Sequence, residues 1–211
     1  MKPYYADDFV TIYHADMRDV FPAVEFDAIV SDPPYGIGYA GYNHGTVAGD
    51  EDTAAVEWLL KRIPDDRPAV LTGANHFATL LPTVGTWSVW DKRTNESADR
   101  MFGAPFELIW SNGADKAGKM YRIQHGGVVN ADGGGVKRVH ATQKPLTLML
   151  RLITDYGGDG IIIDPFAGSG TTLRAAKDLG RRAIGIEIDE QHCETAALRM
   201  SQEVLDLWGN E

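Results

Sequence analysis

The stretch Ile161-Ile162-Ile163-Asp164-Pro165-Phe166-Ala167-Gly168-Ser169-Gly170-Thr171-Thr172 decides the fold of this 211-residue chain. Three β-branched residues in a row read as a strand buried on both faces, as in a parallel sheet covered by helices. The glycines allow positive φ and close approach of the backbone to a ligand. Thr171 to Leu179 has helical spacing and is closed by Gly180. A helix that opens on a glycine turn points unpaired N–H groups at whatever sits there. The next strand, Arg182 to Ile188, carries Glu187, nineteen residues after Gly168. An acid at that distance suits ribose hydroxyls in a doubly wound nucleotide site. No third glycine follows, which favours a single-nucleoside cofactor over a dinucleotide. Asp189 can cap a last helix running to about Leu207.

Upstream, apolar runs alternate with helical patterns. Strands are expected at Phe9 to Tyr13, Phe26 to Ser31, Ala69 to Thr72, Thr86 to Trp90 and Glu107 to Trp110. Helices are expected at Asp52 to Lys61, Asn75 to Leu81 and Thr142 to Tyr156, the last with Pro145 near its first turn. Ser111 to Val139 has no sustained period, and its glycines at 126–127 and 133–135 predict a mobile loop. The strand ending at Ser31 runs into Asp32-Pro33-Pro34-Tyr35. Proline rings stiffen that turn. It presents a carboxylate, carbonyls and an aromatic ring, a set that suits the exocyclic amino group of a planar base.

Net charge is -10 from 20 basic and 30 acidic residues, which argues against a nucleic-acid partner until the charges are placed. Residues 116–151 carry seven basic side chains (Lys116, Lys119, Arg122, Lys137, Arg138, Lys144, Arg151) against Asp132 alone. That basic island can meet phosphates, and Arg122, Lys137 and Arg138 can also read guanine edges. His125 and His140 read as surface histidines. One cysteine, Cys193, excludes an internal disulfide framework and a multi-cysteine zinc site. No run is long and apolar enough for a membrane span, and Met1 to Asp8 has no secretory pattern, so a cytoplasmic protein is the default.

Taken together, Asp32-Pro33-Pro34-Tyr35 and the glycine stretch resemble the amino-group DNA methyltransferases that use S-adenosylmethionine. His140-Ala141-Thr142-Gln143-Lys144-Pro145-Leu146 is similar to the segment that precedes the family's glycine motif, with Ala141 where proline is usual. Tyr13-His14-Ala15-Asp16 resembles its acidic motif. The order, catalytic turn first and glycine motif last, is that of the beta class. The resemblance implies a Rossmann-like doubly wound α/β sheet, mostly parallel with one antiparallel strand and a circularly permuted motif order. It implies one methyltransferase domain over 1–211, in which 111–141 is a short inserted region for target recognition and DNA contact.

By the same resemblance, Asp32, Pro33, Pro34 and Tyr35 hold the target base, and Asp32 also borders the cofactor. Phe166, Gly168 and Gly170 line the methionine part of the cofactor, and Asp164, Ala167 and Thr171 also contact the cofactor. Glu187 takes the ribose, Asp16 the adenosine end, and Thr142 and Lys144 the carboxylate. Lys116, Lys119, Arg122, Lys137 and Arg138 contact double-stranded DNA. Loops 41–49 and 126–135 are expected to close or order on the DNA. The expected reaction is methyl transfer to N6 of adenine, since Asp rather than Ser precedes the prolines. N4 of cytosine is the alternative, followed by an RNA or protein amide and by an inactive binding module. The base has to be flipped out of the duplex. No covalent intermediate is needed, which agrees with a structural Cys193. The resemblance allows for a homodimer, and neither the recognition sequence nor a restriction-endonuclease partner is inferable.

Overall fold

The structure, a computed structural model, describes residues 1–38, 40–41, 45–46, 50–93, 96, 99, 103–113, 117–126, 129–130 and 143–202. Its centre is a nine-stranded sheet: β1 (Tyr5–Ala6), β2 (Val10–His14), β3 (Ala28–Ser31), β4 (Ala69–Thr72), β5 (Thr86–Asp91), β6 (Phe106–Ser111), β7 (Met120–Arg122), β8 (Ile162–Asp164) and β9 (Ala183–Glu187). The spatial order is β1-β2-β9-β8-β3-β4-β6-β5-β7. β2, β9, β8, β3 and β4 pair in parallel. β6 runs antiparallel to both β4 and β5, and the short edge strand β1 antiparallel to β2. The sheet is thus the expected one: parallel at its centre, with one internal antiparallel strand. Two two-residue ribbons, Ala40–Gly41 with Gly45–Thr46 and His125–Gly126 with Val129–Asn130, lie outside it.

Helices cover both faces. α3 (Leu146–Tyr156), α4 (Thr171–Asp178) and α5 (Glu190–Ser201) pack on one side, sharing a core with Val10, Ile12, Val30 and Ile162. α1 (Met17–Val20) and α2 (Ala54–Leu60) pack on the other, with Ile29, Leu71, Ile163 and Ile186. Successive residues of β3 and β8 therefore enter opposite cores, which is why these strands read as continuous apolar runs. Asp189 caps α5 by accepting from the backbone of Gln191 and His192. None of the helices among the described residues is long and apolar enough to cross a membrane.

Two local expectations are corrected. Asn75 to Leu81 forms only a single 3-10 turn, Ala78–Leu80. Within the expected loop at 111–139, Met120–Arg122 adds a parallel edge strand to β5. Three residues are too few to show a period, and the signal there was Tyr121, buried between two exposed neighbours. Loop 41–49 and residues 131–142 fall almost wholly outside the described residues.

The connection from β8 through α4 moves to β9 on one side, whereas that from β3 through α2 moves to β4 on the other. The order in which the chain adds strands thus reverses between the parallel neighbours β8 and β3, and the crevice beyond the strand ends at such a point is where open α/β sheets bind ligands. Leu152 on α3 is fully buried over these strands. Leu152→Ala should lower unfolding free energy by roughly 2–5 kcal/mol in urea titrations, the range for truncating a buried leucine.

Candidate active site

A cleft of about 520 Å³ opens at this reversal, lined among others by Asp16, Asp32, Tyr35, Glu107, Lys144, Phe166, Gly168 and Glu187. Sequence-distant motifs meet there because β3 and β8 are neighbours. Their ends are tied by a bond from Ser31 Oγ to Asp164 Oδ1, 2.6 Å long.

On the glycine side, Gly168 and Gly170 adopt φ of +51° and +79°. A side chain on Gly168 would meet nothing within 4 Å, so that flank of the loop faces open space. Glu187 ends β9 and is nearly buried. Its Oε2 accepts from the Gly168 N–H at 2.7 Å and its Oε1 from the Asp189 N–H at 2.8 Å. These bonds fix the carboxylate and leave it further acceptor capacity, since a carboxylate has about four lone-pair sites. Asp16 caps α1 and is held by Arg18 through backbone and guanidinium. Thr171 and Ser169 are bridged by the Arg199 guanidinium. Asp164 is fully buried, and burial pushes its carboxyl up to about 6 against the bonds from Ser31, Thr172 and Phe166.

On the other side, the turn after β3 is pinned by Asp50, whose Oδ1 accepts from the N–H groups of Tyr35 and Gly36 at 2.6 and 2.8 Å. Asp32 Oδ1 accepts from the hydroxyls of Thr72 at 2.7 Å and Tyr35 at 3.0 Å. The Lys144 ammonium donates to Asp32 Oδ2 and to the Tyr35 oxygen, each at 2.7 Å. Burial works against that charge, but Asp32, Tyr35 and Glu107 outweigh it and keep Lys144 protonated. Burial and the Asp32 charge hold the Tyr35 phenol well above its ordinary range, so its hydroxyl donates. The Tyr35 ring stacks on His76 at 4.4 Å and 10°. Gly73 permits this, since a Cβ there would lie 2.1 Å from the ring.

Of the residues expected from the sequence, Asp16, Asp32, Pro33, Pro34, Tyr35, Lys144, Asp164, Phe166, Ala167, Gly168, Thr171 and Glu187 line this one cleft. Gly170 does not line it; it packs under Ala196 of α5. Lys144 pairs with Asp32 in this cleft. Lys119, just before β7, and Arg122, at its end, are exposed and paired with Asp155 and Asp91, and neither lines the cleft. Thr142, Lys116, Lys137 and Arg138 lie outside the described residues. Sequence reading missed Thr72, Asp50, His76, Lys92 and Glu107. A charge inside the apolar strand Phe106–Ser111 was the available signal for Glu107; the other four carry none.

The Asp164 carboxyl is raised above its unfolded value, so its contribution to stability is present below pH 4 and is lost as pH rises through about 6. Asp164→Asn should therefore gain about 3 kcal/mol relative to the parent between pH 4 and pH 7.5, two pKa units at 1.36 kcal/mol each. Urea unfolding of both proteins at the two pH values measures the difference.

Comparison with known proteins agrees with this geometry. Residues 82–198, more than half of the chain, match the N6/N4 family model described as DNA methylase. That span holds the glycine loop and Glu187 and begins after the Asp32 turn. The type II methyltransferase M2.DpnII of Streptococcus pneumoniae is 28% identical over 250 residues, covering 96% of this chain and 93% of the relative. Two solved structures share the fold: the M1.HpyAVI–SAM complex (TM-score 0.62, 23% identity, 92% of this chain and 100% of that one) and the cytosine-N4-specific PvuII DNA methyltransferase (TM-score 0.68, 14% identity, 96% and 90%). The chain belongs to the N6/N4 family of DNA methylases.

Proposed function

We propose that this protein transfers a methyl group from S-adenosylmethionine to the exocyclic amino group of a base flipped out of double-stranded DNA, N6 of adenine first. One observation carries the reading: the Asp32 carboxylate and the Glu187-braced glycine loop share one cleft. The cofactor fits the residues present. Gly168 leaves its flank open, Glu187 keeps acceptor sites for ribose hydroxyls, and the buried Asp164 carboxylate suits an ammonium. Asp16 and Phe166 border the same end, and Thr142 is read there from the resemblance alone. When bound, the cofactor supplies an electrophilic methyl on its sulfonium.

Asp32 accepts an N–H of the base, which helps the nitrogen lone pair leave conjugation with the ring. With the cofactor held by Glu187 and the Gly168 loop and supplying the methyl, Asp32 would take the proton that the methylated nitrogen sheds and pass it to water. Thr72 and Tyr35 fix Oδ1, so the carboxylate reorganises little during the reaction. Holding the reactants in line supplies much of the remainder. The Tyr35–His76 stack offers an aromatic shelf for the flipped base. Lys119 and Arg122, at the two ends of the edge-strand segment, with Lys116, Lys137 and Arg138, are read as phosphate contacts. This makes 1–211 one catalytic domain in which 111–141 includes both an edge strand and the DNA-facing insert, working in the cytoplasm. The likeness of fold to a cytosine-N4-specific enzyme favours N4 of cytosine as the second reading. Mass spectrometry of nucleosides from methylated DNA distinguishes the two.

Asp32→Ala should reduce transfer of label from the cofactor to DNA by at least about 10³-fold, while cofactor affinity in calorimetry stays within a few-fold. Parental turnover in this variant would overturn the assignment. Cys193 is fully buried and donates to the Glu187 carbonyl. Cys193→Ser should keep methylation within about threefold, since no thiol attacks the base; complete loss in a folded variant would point to covalent chemistry instead.

A further inference from the structure

Four charges of alternating sign line the far end of the cleft: Lys92, Glu107, Lys144 and Asp32. Lys92 Nζ lies 2.5 Å from Glu107 Oε1, Lys144 Nζ 3.5 Å from Glu107 Oε2, and Lys144 Nζ 2.7 Å from Asp32 Oδ2. Glu107 and Lys144 are more than nine-tenths buried. Oε2 of Glu107 makes no hydrogen bond among the described residues, although it is buried and its carboxylate borders the cleft.

Asp32 is already well supplied with donors. Two hydroxyls occupy Oδ1 and an ammonium occupies Oδ2. A base amino group brings no net charge, whereas Lys144 brings a full positive charge to the carboxylate, so the base N–H is the weaker competitor for Oδ2. The incoming N–H therefore cannot displace Lys144 from Asp32 unaided. Nor can a buried ammonium be left without a counter-charge. We propose that Glu107 is a positioning residue that takes the Lys144 ammonium away from Asp32 Oδ2 when the target amino group enters. The shift is small: closing 3.5 Å to an ordinary ion-pair distance of about 2.8 Å moves Nζ by roughly 0.7 Å. Lys92 fixes the receiving carboxylate through its other oxygen. In the empty site Lys144 neutralises Asp32. In the loaded site the Lys144–Asp32 contact lengthens from 2.7 Å to at most about 3.4 Å, which weakens its hold on Oδ2 in favour of the base N–H. The inference rests on the methyltransferase reading above.

Glu107→Gln keeps the shape and removes the charge, so Lys144 stays on Asp32 and competes with the base. KM for DNA should rise about tenfold or more, while the cofactor Kd stays within about twofold. Glu107→Asp keeps the charge on a shorter stem and should give an intermediate KM. Flipping of 2-aminopurine placed at the target position, read by fluorescence and needing no turnover, should weaken in step. In a Lys144→Met background Glu107→Gln should add nothing to the flipping signal. A parental KM in folded Glu107→Gln overturns the proposal, as does an equal loss in the Lys144→Met background. Should Glu107→Gln not fold, a parental KM in Glu107→Asp overturns it equally. A parent that methylates no DNA overturns the methyltransferase reading and this proposal with it. A parent that methylates while Glu107→Gln matches it overturns the proposal alone.

Discussion

The bond from Ser31 to Asp164 joins residues 133 positions apart, and the site depends on it. It caps the parallel pairing of β3 with β8, the strands on either side of the point where the order of strand addition reverses. Without that pairing the Asp32 turn and the glycine loop have no common cleft. The bond carries a cost of its own, because Asp164 is buried with hydroxyl and amide donors but no cation among them. Burial pushes that carboxylate toward protonation.

The same logic runs through the other half of the cleft. Lys144 is read from sequence as an exposed lysine or a cofactor contact, yet it is buried between Asp32 and Glu107. Its charge leaves the basic island and becomes internal. Lys119 and Arg122 are also paired, with Asp155 and Asp91, though both remain exposed. The outward face of 116–151 is therefore less positive than its composition implies. Salt dependence of DNA binding should reflect the outward charges alone.

Much of the fold was legible because the central strands are short and apolar, and turns or helix signals bound them. Ala69–Thr72 was placed to the residue, and β3, β6, β8 and β9 to within two residues at either end. Those strands are buried on both faces, so composition alone betrays them. The edge strand at Met120–Arg122 was not legible, since a three-residue edge carries little pattern. In the site, residues on rigid turns with unusual chemistry were legible: Asp32, Tyr35, Gly168, Glu187. Thr72 was not, because it matters only by lying beside Asp32 in the register that pairs Ser31 with Leu71. Glu107 was not, because its partners come from sequence positions fifteen and thirty-seven residues away (Lys92 and Lys144). Such relations belong to packing rather than to local pattern.

The permuted order of the strands has a consequence for synthesis. β3 is buried along its whole length, apolar up to Ser31, and sits between β4 and β8. β4 is made soon after it, but the partner for its other edge follows only 133 residues later. At about 5–20 residues per second, the nascent chain keeps one edge of its central strand unpaired for on the order of ten seconds. An open apolar edge invites mispairing with other chains. Closing so long a loop is also slow compared with local contacts. The strand that completes the catalytic cleft is thus the one whose late arrival ends the period of greatest exposure to aggregation.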